Sequence, residues 1–176
     1  MNLEDGYVAC ICEGSAEQAI MELLLEHDSL IFDSDNLLEG EIIRSRSAKE
    51  FENRYLKKGF NRKITILRIL DSRKENFNLS KQYQEKISVI NVITAPEIEM
   101  LIIVAENKYR DYNKSRLKPS DYCKLILGMR NVKRYDFVRE YFSDVKKLVG
   151  SILEYRRVKN IPNGEYALFN LLKNKS

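Results

Sequence analysis

The chain has no long apolar run, a single histidine and few glycines, and each shortage removes a class of function. No apolar stretch approaches the roughly 20 residues that a membrane helix needs, so no bilayer span is expected. The amino-terminal segment MNLEDGY is acidic and lacks a basic region followed by an apolar one, so no signal peptide is expected either. His27 is the one histidine; it sits near a predicted helix C-terminus, where imidazolium is favoured, and no Cys–His or Ser–His–Asp constellation can be built on it. The three cysteines, Cys10, Cys12 and Cys123, are odd in number. Cys10 and Cys12 share one face of a strand, a poor disulfide geometry, and no second ligand pair suggests zinc. They read as buried thiols in a reducing compartment, which makes a cytoplasmic location the expectation. Neither G-x-x-x-x-G-K-S/T nor G-x-G-x-x-G occurs, so P-loop and dinucleotide-binding readings lack their phosphate-binding loops.

Lysine and arginine are also missing from the first 41 residues, although the whole chain carries a net charge of +4. The cations concentrate instead at 108–134, with Lys108, Arg110, Lys114, Arg116, Lys118, Lys124, Arg130, Lys133 and Arg134 set against Asp111 and Asp121. Such a run is usually a solvated surface. Its interleaved Tyr109, Tyr112, Tyr122 and Tyr135 make a nucleic-acid face the alternative, because cations bind phosphates and aromatics stack on bases.

At 176 residues the chain fits one domain with an appended helical part. Residues 7–12 are a short apolar run bounded by a turn, which reads as a buried strand. Ser15 is placed to cap a helix ending near His27, with Glu17 in its first turn. An extended region over 30–45 is interrupted by Asp33-Ser34-Asp35-Asn36 and Glu39-Gly40, suggesting a strand or hairpin. Ser47 caps a polar helix through about Leu56. Residues 63–70 form a third strand; Ser80 caps a short helix, and 88–94 form the fourth strand. Pro96 suits the first turn of a helix over 97–108, Pro119 opens another, and 134–158 reads as one long amphipathic helix. A turn at Pro162-Asn163-Gly164 precedes a last short helix. Strands alternating with helices predict an α/β fold with a mostly parallel, four-stranded sheet flanked by helices and followed by a helical extension.

Glu13 then stands at the carboxyl end of the first strand and Asp71 at that of the third. In open α/β sheets ligands bind in the crevice outside those ends. Neighbouring strands lie about 4.8 Å apart, so both carboxylates would face one crevice. There they would serve as magnesium ligands or as general acid and base, unless they merely cap helices or solvate loops. Glu99 lies within a largely apolar run and must either face solvent or meet a cation, since burying a lone carboxylate is costly. Glu17, one helical turn past Glu13, serves the helix dipole or supports Glu13.

Strand–Glu13-Gly14-Ser15-Ala16-Glu17–helix, followed later by a strand and Asp71-Ser72-Arg73, resembles the Toprim fold of topoisomerases, DnaG-type primases and OLD-family nucleases. Ala95-Pro96-Glu97-Ile98-Glu99-Met100-Leu101 looks like the P-x-F-E-x-W segment of the stand-alone RloB-like Toprim proteins of bacterial defence loci. Together the likeness spans roughly residues 7–127. It implies a Toprim/Rossmann-like domain over residues 1–110, with 111–176 a helical extension packed on the same core. Glu13 matches the family's glutamate, Asp71 the first aspartate of D-x-D, and Glu99 the glutamate of the second motif. Arg73 replaces the second aspartate, which argues against a two-metal site.

The resemblance implies a Mg2+- or Mn2+-dependent nuclease acting on DNA or RNA, with anti-phage defence as its setting and an ATPase as a candidate partner. Glu13 and Asp71 would be metal ligands and Glu99 a third acid. Arg73, Lys114, Arg116, Lys118, Arg130 and Arg134 would hold phosphates. The alternative is a catalytically degenerate Toprim-fold module that binds or regulates, acting with a partner ATPase.

Overall fold

The computed structural model describes residues 3, 6–45, 47–60, 62–94 and 97–173, with Glu97 described in its backbone alone. Three parallel strands, β1 (Tyr7–Cys12), β2 (Ile64–Leu70) and β3 (Ile87–Ile93), form a sheet in the order β1-β2-β3. β1 and β2 read as continuous apolar runs because both of their faces are covered. Val8, Cys10, Cys12, Leu67 and Ile69 join the larger core cluster, while Ala9, Ile11, Ile64 and Ile66 join the smaller one on the opposite face.

The larger core is covered by α1 (Ser15–Glu26), α4 (Glu97–Ala105), α6 (Pro119–Leu125), α7 (Tyr135–Tyr141) and α8 (Val145–Val158), with α5 (Tyr109–Ser115) beside them. In α1 the buried residues Ala16, Ala19, Ile20, Leu23 and Leu24 follow helical spacing, so one stripe meets the core. In α4 every residue from Ile98 to Val104 is buried, so this helix lies at the centre, packed against α6 and α8. The smaller core is closed by α2 (Ala48–Phe51) and the π-helical turn Glu52–Leu56, through Phe51, Tyr55 and Leu56. Ser47 caps α2 by accepting the Glu50 N–H at 3.1 Å. A single short turn, α3 (Lys81–Gln84), precedes β3.

Several expectations are corrected. The sheet has three strands, not four: 30–45 makes only isolated bridges to β1, at Leu37 and Ile43. Asp33 caps a 3-10 turn, and Glu39 and Gly40 both take positive φ (60° and 73°), which breaks the extended backbone before a ladder can form. Gly14, rather than Ser15, is the N-cap of α1; the Ser15 hydroxyl donates instead to the Lys133 carbonyl at 3.3 Å. The long helix over 134–158 is two helices, parted at Phe142–Asp144, where Asp144 accepts the Lys146 N–H at 2.9 Å and starts α8 afresh. The helix after Ser80, expected to run through Ile87, ends at Gln84, and the last helical segment is a 3-10 turn, Leu168–Leu171. Ala95 and Pro96, which carry part of the second motif, lie outside the described residues.

Cys10, Cys12 and Cys123 are free and buried. His27 uses its Nδ1 on the Leu23 carbonyl at 2.9 Å, closing the end of α1. Among the described residues no helix is long and apolar enough to cross a membrane.

Candidate functional site

The carboxyl ends of β1, β2 and β3 carry Glu13, Asp71 and Thr94. Parallel register sets Cys12 beside Ile69 and Leu70 beside Ile93, so the three chain exits lie side by side. Around them stand Glu17 from α1, Glu99 from α4, Glu75 from the loop after β2, and Lys133 from the segment before α7. Five carboxylates and one lysine thus come together from elements far apart in sequence.

Glu13 and Asp71 are joined, but not carboxylate to carboxylate. Glu13 Oε2 accepts the backbone N–H of Asp71 at 3.1 Å, while the Asp71 side chain turns to the other side and accepts from Lys133 Nζ at 3.0 Å. The alternation of the pleat explains this: Glu13 continues the series of Ala9 and Ile11, Asp71 that of Leu67 and Ile69, and those series face opposite cores. The crevice therefore has two halves.

On one side Glu13 neighbours Glu75. Burial, reinforced by hydrogen bonding to and repulsion from Glu75, pushes the Glu13 carboxyl above the ordinary carboxylate range, against the lowering effect of the Asp71 N–H. Glu75 in turn receives Arg68 Nη2 at 3.1 Å. Arg68 is a β2 residue that is almost fully buried, with its guanidinium 4.7 Å from the Phe77 ring centroid. Burial lowers its pKa, opposed by Glu75 and Glu13.

On the other side Lys133 Nζ lies 3.0 Å from Asp71 Oδ2 and 3.4 Å from Glu99 Oε1. Burial alone would lower the lysine's pKa, but hydrogen bonding to Asp71 and the charges of Glu99 and Asp71 outweigh it and leave the pKa raised. Glu99 is only 5% exposed; its Oε2 is buried and has no hydrogen-bond partner among the described residues. Leaving a buried acceptor unmatched costs about 1–3 kcal/mol. Beneath this pair Glu17, 4% exposed, accepts from Thr94 Oγ1 at 3.4 Å. Burial raises the Glu17 pKa and Asp71 raises it further, while its own N–H, Lys133 and Thr94 pull it back. Gly14 makes the room: a Cβ there would stand 2.3 Å from Glu17 Oε2.

A cavity of about 370 Å³ opens beside Glu99 and Lys133, lined further by Ser120, Lys124, Arg130 and Asn131. Of the predicted phosphate-holding residues, Arg130 alone lines this cavity. Lys114, Arg116, Lys118 and Arg134 are exposed on α5, at the start of α6 and before α7, and no contact among the described residues joins them to the acids. Arg134 reaches Asp136 at 3.9 Å. Arg73 is held away from the crevice, with Nε and Nη2 donating to the Glu165 carboxylate at 3.0 and 3.1 Å. The tyrosines of the basic stretch also turn inward. Tyr122 is buried and meets Tyr112 edge-on at 5.4 Å; the Tyr109 hydroxyl donates to the Val158 carbonyl, and that of Tyr135 to Glu22. Burial closes Tyr122 to stacking on bases, whereas Tyr109, Tyr112 and Tyr135 are half-buried against the core.

Among the described residues no group of three or more His, Cys, Asp or Glu side chains is placed so that it could hold a metal ion. Lys133, Glu75, Arg68 and Thr94 are site residues that motif reasoning missed. Thr94 left a signal as a polar residue ending an apolar strand, Arg68 as a charge inside one, and Lys133 as a member of the basic stretch.

The chain was compared with protein-family models, with curated proteins and with solved structures. None of the three comparisons gave a match.

Proposed function

We propose that this chain is a Toprim-like α/β protein that hydrolyses phosphodiester bonds of DNA or RNA, using Mg2+ or Mn2+ held at the strand-end acids. The observation that carries the reading is the focus of Asp71 and Glu99 on one cationic centre, the Lys133 ammonium, with Glu13 hydrogen-bonded to the Asp71 backbone. A hard divalent cation takes carboxylate oxygens. Asp71 and Glu99 offer two such carboxylates, leaving water and a substrate phosphate to complete the shell, and Glu99 Oε2 is an acceptor without a donor among the described residues. A cation bound there would lower the pKa of a water and offset charge on the phosphoryl oxygens. Glu13, its carboxyl raised by burial and by Glu75, suits proton transfer nearer neutrality than an ordinary carboxylate does. Arg130 and Lys124 at the adjoining cavity suit a phosphate of the substrate backbone.

A second reading, a Toprim-fold binding or regulatory module, draws on two observations. Lys133 already neutralises the acids, and Arg73 is spent on Glu165. One experiment separates the readings. Purified chain is incubated with supercoiled plasmid or single-stranded RNA and Mg2+ or Mn2+. Cleavage that falls by about 100-fold or more in Glu13→Gln and in Asp71→Asn supports the nuclease. Undiminished cleavage in both variants overturns the mechanism, and nucleic-acid binding without cleavage supports the module.

A further inference from the structure

Lys133 is the odd member of the crevice. Its ammonium touches Asp71 at 3.0 Å and Glu99 at 3.4 Å, the two carboxylates best placed to share a cation. Its backbone is pinned: the Ser15 hydroxyl donates to its carbonyl at 3.3 Å, and the Arg134 N–H closes a turn on the Asn131 carbonyl at 2.9 Å, across an Asn131 with φ of 58°. The side chain has somewhere else to go, because Lys133 also lines the 370 Å³ cavity beside Glu99. The site holds a second sign that its cation is not the last word. Glu99 Oε2, on a residue 5% exposed, keeps no partner among the described residues even with Lys133 in place. A single ammonium satisfies one oxygen of Glu99 and leaves the other orphaned, whereas a divalent ion can draw on both.

We infer that Lys133 is an internal competitor of the divalent cation: its ammonium fills the crevice at Asp71 and Glu99, and a metal ion enters only by displacing it into the neighbouring cavity. The inference rests on the reading that the crevice takes a divalent cation, and it adds a residue that sets the affinity for it. Two cations cannot share these carboxylates closely, since like charges a few ångströms apart repel strongly even at the effective dielectric of a protein. Affinity for metal is therefore reduced by whatever free energy holds the ammonium in place. In the displaced position Lys133 stands with Lys124 and Arg130 around one cavity.

The test is calorimetric titration of the full chain with Mn2+, comparing wild type with Lys133→Met, Lys133→Arg, Asp71→Asn and Glu99→Gln. Lys133→Met should bind Mn2+ at least about tenfold more tightly than wild type, Lys133→Arg should not, and the gain should vanish when Lys133→Met is combined with Asp71→Asn or Glu99→Gln. Equal or weaker binding by Lys133→Met, with wild type binding normally, overturns the competition while leaving the metal site standing. Tightening of the same size in Lys133→Arg overturns it too, because the effect would not be one of charge removal. If neither wild type nor Lys133→Met binds Mn2+, the metal reading falls and the inference with it. A second measurement needs no variant. In wild type, Mg2+ should raise the rate at which an N-hydroxysuccinimide ester acetylates Lys133, followed by peptide mass spectrometry, several-fold over the other lysines. An unchanged rate overturns the displacement.

Discussion

Glu17 shows how much a single carboxyl can be made to do by its surroundings. It is nearly buried, its room is provided by a glycine, and it is held by Thr94, whose hydroxyl also reaches the Leu70 carbonyl at 3.0 Å. With its folded pKa raised, the native state keeps a proton on Glu17 at a pH where the unfolded chain has released it. Stability from this group is thus fully present in acid and is lost as pH climbs from the ordinary carboxylate range through the raised value. Glu17→Gln, which removes the titration, should raise the melting temperature at pH 7 relative to wild type, with the gain shrinking toward pH 4. Thermal melts at the two pH values check this, and a gain that grows in acid would contradict it. The same logic explains why Glu17 is the acid a sequence reader undervalues, whereas Glu99 stands out by its place in an apolar run. The burial of Glu17 and its bond to Thr94 are not revealed by spacing along the chain.

Between elements, the strongest lesson is in how helices stop and start. Apolar spacing runs unbroken from Phe137 to Ile152, so periodicity alone predicts one helix. The break at Phe142–Asp144 depends on Asp144 offering its carboxylate to the Lys146 N–H, a local bond that competes with continuing the helix. Asp144→Ala should cost about 0.5–2 kcal/mol in urea denaturation, and a neutral result would mean the cap contributes nothing to the start of α8. Strands β1 and β2 are legible from their sequence because double burial leaves no polar alternation to confuse them. The segment 30–45 is misread for the opposite reason. Its apolar residues do bury, with Leu30, Leu37, Leu38 and Ile43 all in the core, but they do so from turns rather than from a ladder.

For the molecule as a whole, one core is shared by residues on both sides of position 110. The larger cluster unites Val8, Leu67 and Ile102 with Phe142, Ile152 and Leu171. The last segment ties three places at once, through Tyr166 to Ile93, Leu171 to Ile31, and Lys173 to Ser29. A chain ending at Val158 loses these bonds and the burial of Leu168, Leu171 and Leu172, roughly 5–9 kcal/mol of apolar burial, comparable to the whole stability of a typical domain. Such a chain should show no cooperative melt by circular dichroism; a sharp transition near that of the full chain would refute the point. The α/β class and the strand-end positions of Glu13 and Asp71 are legible from order and punctuation alone, whereas the splitting of the crevice into two halves requires the pleat and the register. One consequence of the missing fourth strand concerns self-association. Along the outer side of β1, the Cys10 carbonyl and the Cys12 N–H are already bonded to Ile43, at 2.8 and 3.0 Å. On the far side, β3 is closed only at its carboxyl end, where the Ile93 N–H donates to the Tyr166 carbonyl, and the described residues place no strand along Ile87–Asn91. This sheet is therefore guarded against strand addition at its β1 margin and leaves the first part of β3 as the edge on which another chain could stack.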